Sequence, residues 1–211
     1  MDIVLLGPPG AGKGTQGDLL ARRLAVPKIA TGDVLRAAVR EGTPLGREAK
    51  AAMDRGDLVP DSVILGIMKE TLASKEARAG SILDGVVRTV PQAEGLERVL
   101  RELGRRVDAV VLFEADEDEL VHRLSSRTTC EACQTPYKDR EPGTACDECG
   151  GKLVRRRDDE PEAVRNRLGV YRRQTEPVIE WYRSNGVNVV PVNAVGTVHE
   201  VTKRVLDALG Q

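Results

Sequence analysis

The chain has 211 residues, 40% of them hydrophobic and 31% charged, enough apolar material for one large domain or a core with insertions, which excludes a wholly disordered chain. Lys and Arg number 32 against 33 Asp and Glu, a net charge of −1, which excludes a globally basic nucleic-acid coat and a polyacidic tail. The sequence holds no run of eighteen apolar residues, so nothing in it reads as a membrane span, and its start, MDIVLLG, lacks the basic region of a leader, so a cytoplasmic location is expected.

In chain order, residues 2–6 (DIVLL) form a short apolar run stopped by Gly7, the pattern of a buried parallel strand. Helices are predicted over 15–25, from Thr31 as N-cap through Arg40, over 44–55 and over 61–73, with Pro44 and Pro60 near two of the starts. Residues 80–84 read as a second strand, 91–103 as a helix with Leu96, Val99, Leu100 and Leu103 in register, and 107–113 as a third strand. Helix follows over 116–127. A long helix over 161–184 should be kinked or split by Pro177. VNVVPV at 187–192 is a last strand and 197–209 a last helix. Only five aromatics are present, so Leu, Val, Ile and Ala must make the core; Trp181 and Phe113 are most simply core residues. Strands alternating with helices imply an α/β fold, a parallel sheet flanked by helices. Residues 31–60 and 128–160 break the alternation and read as excursions from it.

The four cysteines lie in the second excursion as Cys130-x2-Cys133 and Cys146-x2-Cys149, twelve residues apart. Paired CxxC knuckles suit tetrahedral thiolate ligation of zinc, and four thiolates leave no open position, so the metal's role is structural. Pro136, Pro142, Gly143, Gly150 and Gly151 supply turns around them, as a zinc ribbon requires.

Gly7-Pro8-Pro9-Gly10-Ala11-Gly12-Lys13 sits between the first strand and the first helix, the GxxxxGK phosphate loop in its required setting. Glycines let backbone N–H groups turn onto phosphate oxygens, the helix N-terminus adds positive charge, and Lys13 reaches the β/γ-phosphates. Gly14 stands where a Ser or Thr is usual, and Thr15 follows it.

These motifs together resemble the adenylate kinase family of nucleoside monophosphate kinases. Thr31-Gly32-Asp33 with Arg36 is similar to the opening of that family's mobile NMP-binding segment, and Asp57-Leu58-Val59-Pro60 to its close. Asp84-Gly85-x-x-Arg88-Thr89 with Gln92 is similar to the segment that receives AMP. Arg123-x3-Arg127 precedes the cysteine insert, Arg156-x-Asp158-Asp159 follows it, and Arg167 lies on the next helix. The resemblance covers nearly the whole chain, in the family's order. It implies a P-loop NTPase-like core at 1–29, 61–126 and 161–211, an NMP-binding segment at 30–60 and a zinc-binding lid at 127–160. One departure is plain: the family usually reads DGFPR, and here Val86-Val87 replace Phe-Pro, so a weaker or less ordered AMP site is expected.

The implied reaction is ATP + AMP ⇌ 2 ADP with Mg²⁺, in which an anionic phosphate approaches an anionic phosphoryl group, so fixed positive charge must line the path. By resemblance, Gly10, Ala11, Gly12, Lys13, Gly14, Thr15, Arg123, Arg127, Pro136, Tyr137 and Gly196 take ATP. Thr31, Gly32, Arg36, Asp57, Leu58, Val59, Gly85, Val86, Val87, Arg88, Gln92, Arg156 and Arg167 take AMP. Lys13, Arg88, Arg123, Arg127, Arg156 and Arg167 act on the transferring group. Asp84 holds Mg²⁺ through water, and Asp158 and Asp159 position lid arginines. Tyr137 equally suits packing within the ribbon. His122 and His199 carry no chemistry. The partners implied are ATP, AMP and ADP, acting on a monomer. Competing readings are a kinase for another monophosphate, a nucleic-acid-binding zinc ribbon using Lys152, Arg155, Arg156 and Arg157, and a nucleotide-binding regulator. Arg36, Arg88 and Gln92, a second phosphate-binding set, speak against the regulator. Net charge and the lack of aromatic platforms speak against nucleic acid.

Overall fold

A computed structural model describes residues 1–211, apart from the side chain of Leu45. Five parallel strands make the central sheet: β1 (Asp2–Leu6), β2 (Lys28–Ala30), β3 (Ser81–Asp84), β4 (Ala109–Glu114) and β8 (Val189–Asn193), in the order β2-β3-β1-β4-β8. Side chains alternate across a strand, and the sequence exploits this on both faces. Val4, Leu6, Leu83, Val110 and Leu112 bury into one apolar layer, and Ile3, Leu5, Ile82, Val111 and Phe113 into the other. The first layer is closed by α4 (Asp61–Leu72), α5 (Val90–Glu102) and α8 (Glu176–Ser184). The second is closed by α1 (Lys13–Leu24), α6 (Glu117–Ser125), α7 (Pro161–Val170) and α9 (Val198–Leu209). Each fully buried leucine contributes about 1.5–3 kcal/mol by leaving water.

Two excursions leave this frame, as expected. Helices α2 (Thr31–Glu41) and α3 (Pro44–Arg55) follow β2, and β5 (Arg127–Cys130), β6 (Pro136–Lys138) and β7 (Leu153–Val154) form a separate antiparallel sheet in the order β6-β5-β7. The predicted helix over 116–127 therefore stops at Ser125, and Arg127 opens a strand. The short edge strand β2 was not foreseen, since three residues carry too little pattern. The strand predicted at 107–113 begins at Ala109 and that at 187–192 at Val189.

Thr31 is not a cap. It is the first residue of α2, behind Ala30, and its hydroxyl donates to the Gly85 carbonyl at 2.9 Å. Thr43 and Thr197 do cap α3 and α9, the latter in a reciprocal capping box with Glu200. Pro177 splits the long helix as predicted. Its ring would meet the carbonyl four residues earlier, and the chain responds with a π-helical turn, Tyr171–Thr175, closed by the Glu176 N–H donating to the Tyr171 carbonyl. Phe113 is fully buried, but the deeply buried aromatic of α8 is Tyr182, with Trp181 only half-buried beside it.

Candidate active site

The phosphate loop is built from β1 into α1. Gly10 and Gly12 adopt φ of +86° and +87°, and a Cβ on Gly7 would sit 2.6 Å from the Phe113 carbonyl oxygen, so these positions require glycine. Lys13 folds back over the loop, its Nζ donating to the carbonyls of Gly7 at 2.7 Å and Pro8 at 2.9 Å. Burial, with Arg88, Arg167 and Arg127 nearby, pushes its pKa down to about 8, against the opposing pull of Asp84. Asp84, at the C-terminal end of β3, is raised by burial, which Lys13 and Lys28 partly offset. A Cβ on Gly14 would stand 3.3 Å from Asp84 Oδ2, so the missing side chain leaves room at that carboxylate.

Beside the loop lies a cleft with a polar and an apolar wall. Gly32, Arg36, Asp57, Gly85, Arg88, Gln92, Asp158 and Arg167 line it with Thr31, Leu35, Met53, Gly56, Leu58, Val59 and Ile64. The expected AMP residues are thus gathered into one hollow, except for Arg156, which does not line it, and two others. Val86 and Val87 turn away into the core, fully buried, and their side chains do not line the cleft. Leu35, Met53, Gly56 and Ile64 were missed. For Leu35, Met53 and Ile64 the only sequence signal is an apolar face on α2, α3 and α4 that also reads as core, and Gly56 reads only as the cap that ends α3. Gln92 is buried with its amide committed: Oε1 accepts the Arg88 N–H at 2.7 Å, and Nε2 donates to Asp61 Oδ1 at 2.7 Å. Asn166, also missed, donates to the Arg55 carbonyl at 2.9 Å and to Asp57 Oδ1 at 2.7 Å, tying the end of α3 to α7. Its hydrogen bond, with that of Arg55, holds the Asp57 carboxyl below the usual range.

The arginines converge from separate elements. Arg88 opens onto the cleft, yet the cleft walls desolvate it, and with Arg167 close by its pKa falls. Arg127 donates through Nε to Asp159 Oδ2 at 2.8 Å, and Arg167 reaches Asp159 Oδ1 and Asp158 Oδ2 at 3.0 Å each, so buried Asp159 holds both forks. Burial would raise Asp158, but Arg167 and Arg156 outweigh it and hold it low. Arg156 points inward, and burial with Arg36 and Arg127 lowers it to about 9. Arg157 pairs with Asp54 at 3.5 Å. Of the basic cluster that suggested nucleic acid, Arg156 thus points inward and Arg157 meets α3, while Lys152 and Arg155 are exposed. Arg36 pairs with Asp33. Arg123 donates to Glu119 at 2.6 Å and to the Ala194 carbonyl at 2.9 Å, which joins α6 to the turn holding Gly196.

In the lid, the four cysteine sulfurs lie within 4.8 Å of one another, with Cys130–Cys149 at 3.5 Å and Cys133–Cys146 at 3.6 Å. A zinc tetrahedron with bonds of about 2.3 Å has edges of about 3.8 Å, so the donor set fits one. The rest of the lid's core is Leu153 and the ring of Tyr137. The Tyr137 hydroxyl lies 3.1 Å from Cys146 Sγ and accepts the Asp147 N–H at 3.0 Å, while its backbone and that of Pro136 pair with β5. The Tyr137 hydroxyl and backbone are engaged within the ribbon. The two excursions touch: Arg40 Nη1 donates to the Glu131 carbonyl at 3.2 Å.

A family model described as adenylate kinase matches residues 5–187, across the loop, the cleft and the lid. The chain belongs to the adenylate kinase family. An adenylate kinase of Gemmatimonas aurantiaca is 71% identical over 211 residues, covering 99% of both chains. Relatives of the same name from Syntrophotalea carbinolica (47%, all of this chain and 99% of the relative) and Methanothrix thermoacetophila (45%, the same coverage) are also similar throughout. As a member of the adenylate kinase family the chain is a nucleoside monophosphate kinase. No helix is long and apolar enough to cross a membrane.

Proposed function

We propose that the enzyme transfers the γ-phosphoryl group of ATP to AMP, reversibly, giving two ADP. One observation carries the reading: the phosphate loop with Lys13 lies beside a second cleft that Arg36, Arg88 and Arg167 line, with Arg127 and Arg167 held by Asp159 at its edge. That is a path between two phosphate sites, lined with fixed positive charge.

Residues 10–15, with Lys13 moving from the loop carbonyls onto phosphate, take the ATP phosphates. The base side lies toward Arg123, Gly196 and the lid at Pro136. The half-apolar cleft takes AMP, with Arg36 and Arg88 gripping its phosphate and Leu35, Met53, Val59 and Ile64 facing the nucleoside. Arg123, Arg127, Arg156 and Arg167 neutralise the transferring group, and Asp159 keeps the Arg127 and Arg167 forks aligned without the entropy of free side chains. No general base is needed, because the AMP phosphate is already ionised near neutral pH. Mg²⁺ would be held by Asp84 through water and would supply charge neutralisation on the ATP phosphates. Zinc on Cys130, Cys133, Cys146 and Cys149 would fold the lid. Residues 1–29, 61–126 and 161–211 serve as the fixed core, 30–60 as the NMP-binding segment and 127–160 as the lid, which closes to exclude water. We place the enzyme in the cytoplasm as a monomer.

The test is ADP production from MgATP with AMP, CMP, UMP and GMP in parallel. Strong preference for AMP supports the assignment. A preference for another base moves the enzyme to a sister specificity, and inactivity with all four overturns it.

A further inference from the structure

Arg88 belongs to no helix or strand. It lies in the open stretch between β3 and α5, where a side chain meant to hold phosphate needs its main chain fixed by other means. Two buried side chains do so. Its N–H donates to Gln92 Oε1, four residues on, at 2.7 Å, and its carbonyl accepts from Thr175 Oγ1, 87 residues on, at 2.9 Å. Gln92 is 1% exposed and Thr175 6%.

Thr175 is the last residue of the π-helical turn before Pro177. In an ordinary helix a threonine hydroxyl bonds the carbonyl three or four residues back. Here the Tyr171 carbonyl takes the Glu176 N–H, five residues on, and the Thr175 hydroxyl reaches out of the helix to the Arg88 loop. The proline that splits the helix thus accompanies a side chain aimed at the phosphate site. The same loop is anchored to the core by Val86 and Val87 but lacks a proline before Arg88, and the two side-chain hydrogen bonds fix the Arg88 N–H and carbonyl themselves.

We propose that Thr175 is a positioning residue of the monophosphate site: the π-turn presents its hydroxyl to the Arg88 carbonyl and so aims the Arg88 guanidinium. This rests on the reading that Arg88 grips the AMP phosphate. A buried hydrogen bond removed from one side leaves its acceptor unsatisfied, and the cost falls on the orientation of Arg88 and hence on AMP.

The experiment is steady-state kinetics on the full-length, zinc-loaded enzyme as Thr175→Val, Thr175→Ser, Arg88→Lys and the Thr175→Val/Arg88→Lys double variant, with melting temperatures recorded. Thr175→Val keeps the branch and removes the donor. It should raise the KM for AMP by about three- to tenfold while the KM for ATP stays within about twofold, and Thr175→Ser should restore it. On the Arg88→Lys background the valine should add less than about twofold, because it acts through Arg88. Thr175→Ala serves the same test if the valine disturbs the turn. Equal shifts in both KM values, no rescue by serine, or a full effect on the Arg88→Lys background would make Thr175 merely structural and overturn the proposal. An unchanged KM for AMP in Arg88→Lys alone would overturn the role given to Arg88, and a normal Thr175 response beside a defective Arg88→Lys would overturn only the role given to Thr175.

Discussion

The two excursions from the sheet are held by different physics. Residues 31–60 form two helices and a connecting stretch whose apolar side chains join the main core: Leu35 and Ala49 of the helices and Val59 after them belong to the same buried layer as Leu83 and Leu96. At its far end this segment is tied to α7 by Asn166. The lid has no share in that core. Its own buried cluster is Cys130, Cys146 and Leu153 with Tyr137, far too little apolar surface to offset the ordering of some thirty residues. One excursion is an extension of the core, and the other is a separate body organised by four sulfurs. The first is packed against the sheet's core, whereas the second lies between helices α6 and α7 with its strands paired only among themselves.

The largest test of this contrast is metal removal. Structural zinc supplies about 10–16 kcal/mol of folding free energy in small finger peptides, so chelation or Cys146→Ser should unfold residues 127–160 alone. Amide exchange there should lose protection while α2, α3 and the sheet keep theirs, and kcat should fall by about a hundredfold as Arg127 and Arg156 lose their placement. Uniform loss of protection would show that the lid is not a separate body.

Lys13 lies beneath both excursions, and its titration comes next in size. Phosphate binding needs the charged amine, so kcat/KM for ATP should fall about tenfold per pH unit above about pH 8, the value set by its burial among arginines. The stability consequence has the opposite direction. The folded pKa lies below the unfolded 10.5, so between about 8 and 10.5 the unfolded chain binds more protons and this residue's contribution to stability rises with pH. Below pH 8 its cost is fully present. Lys13→Met should remove that slope and raise the melting temperature near neutrality. A kcat/KM profile flat to pH 10 would contradict the assignment.

Asn166→Ala probes the other excursion. Losing its two hydrogen bonds should cost about 1 kcal/mol and raise the KM for AMP about fivefold, with lid protection and the KM for ATP unchanged. Equal effects on both nucleotides would mean the two excursions are coupled more tightly than their packing indicates. The smallest effect is expected from Val87→Pro, which stiffens the loop by at most about 1 kcal/mol and should lower the KM for AMP about twofold. If Val86→Phe/Val87→Pro leaves both kcat and that KM unchanged, the departure from DGFPR has no bearing on AMP.

Much of this was legible from local signals. The phosphate loop, the cysteine quartet, most helix starts and the break at Pro177 each depend on neighbours in sequence, where glycine, proline and capping rules apply. What escaped depends on partners far along the chain. Thr31 looks like a cap because threonine often is one, and only the Gly85 carbonyl, 54 residues away, shows otherwise. Asn166 carries no motif of its own; its meaning comes from Asp57, 109 residues earlier. Val86 and Val87 sit inside a binding motif, yet their side chains belong to the core. Both are buried side by side between the half-buried Gly85 and the exposed Arg88, and the motif alone did not reveal it.

The order of strands in the sheet bears on how the molecule is made. β8 pairs with β4, and residues 115–188, the lid among them, lie between the two. At translation rates of about 5–20 residues per second, β4 waits roughly 4–15 seconds for its partner. The lid's strands pair only with one another, so it can emerge, load its metal and fold while the sheet beside it is still an open edge. Arg123, which donates to the Ala194 carbonyl just after β8, is among the last of the arginines proposed above for phosphoryl transfer to be set. A nascent chain would thus acquire a finished lid before it has a finished enzyme.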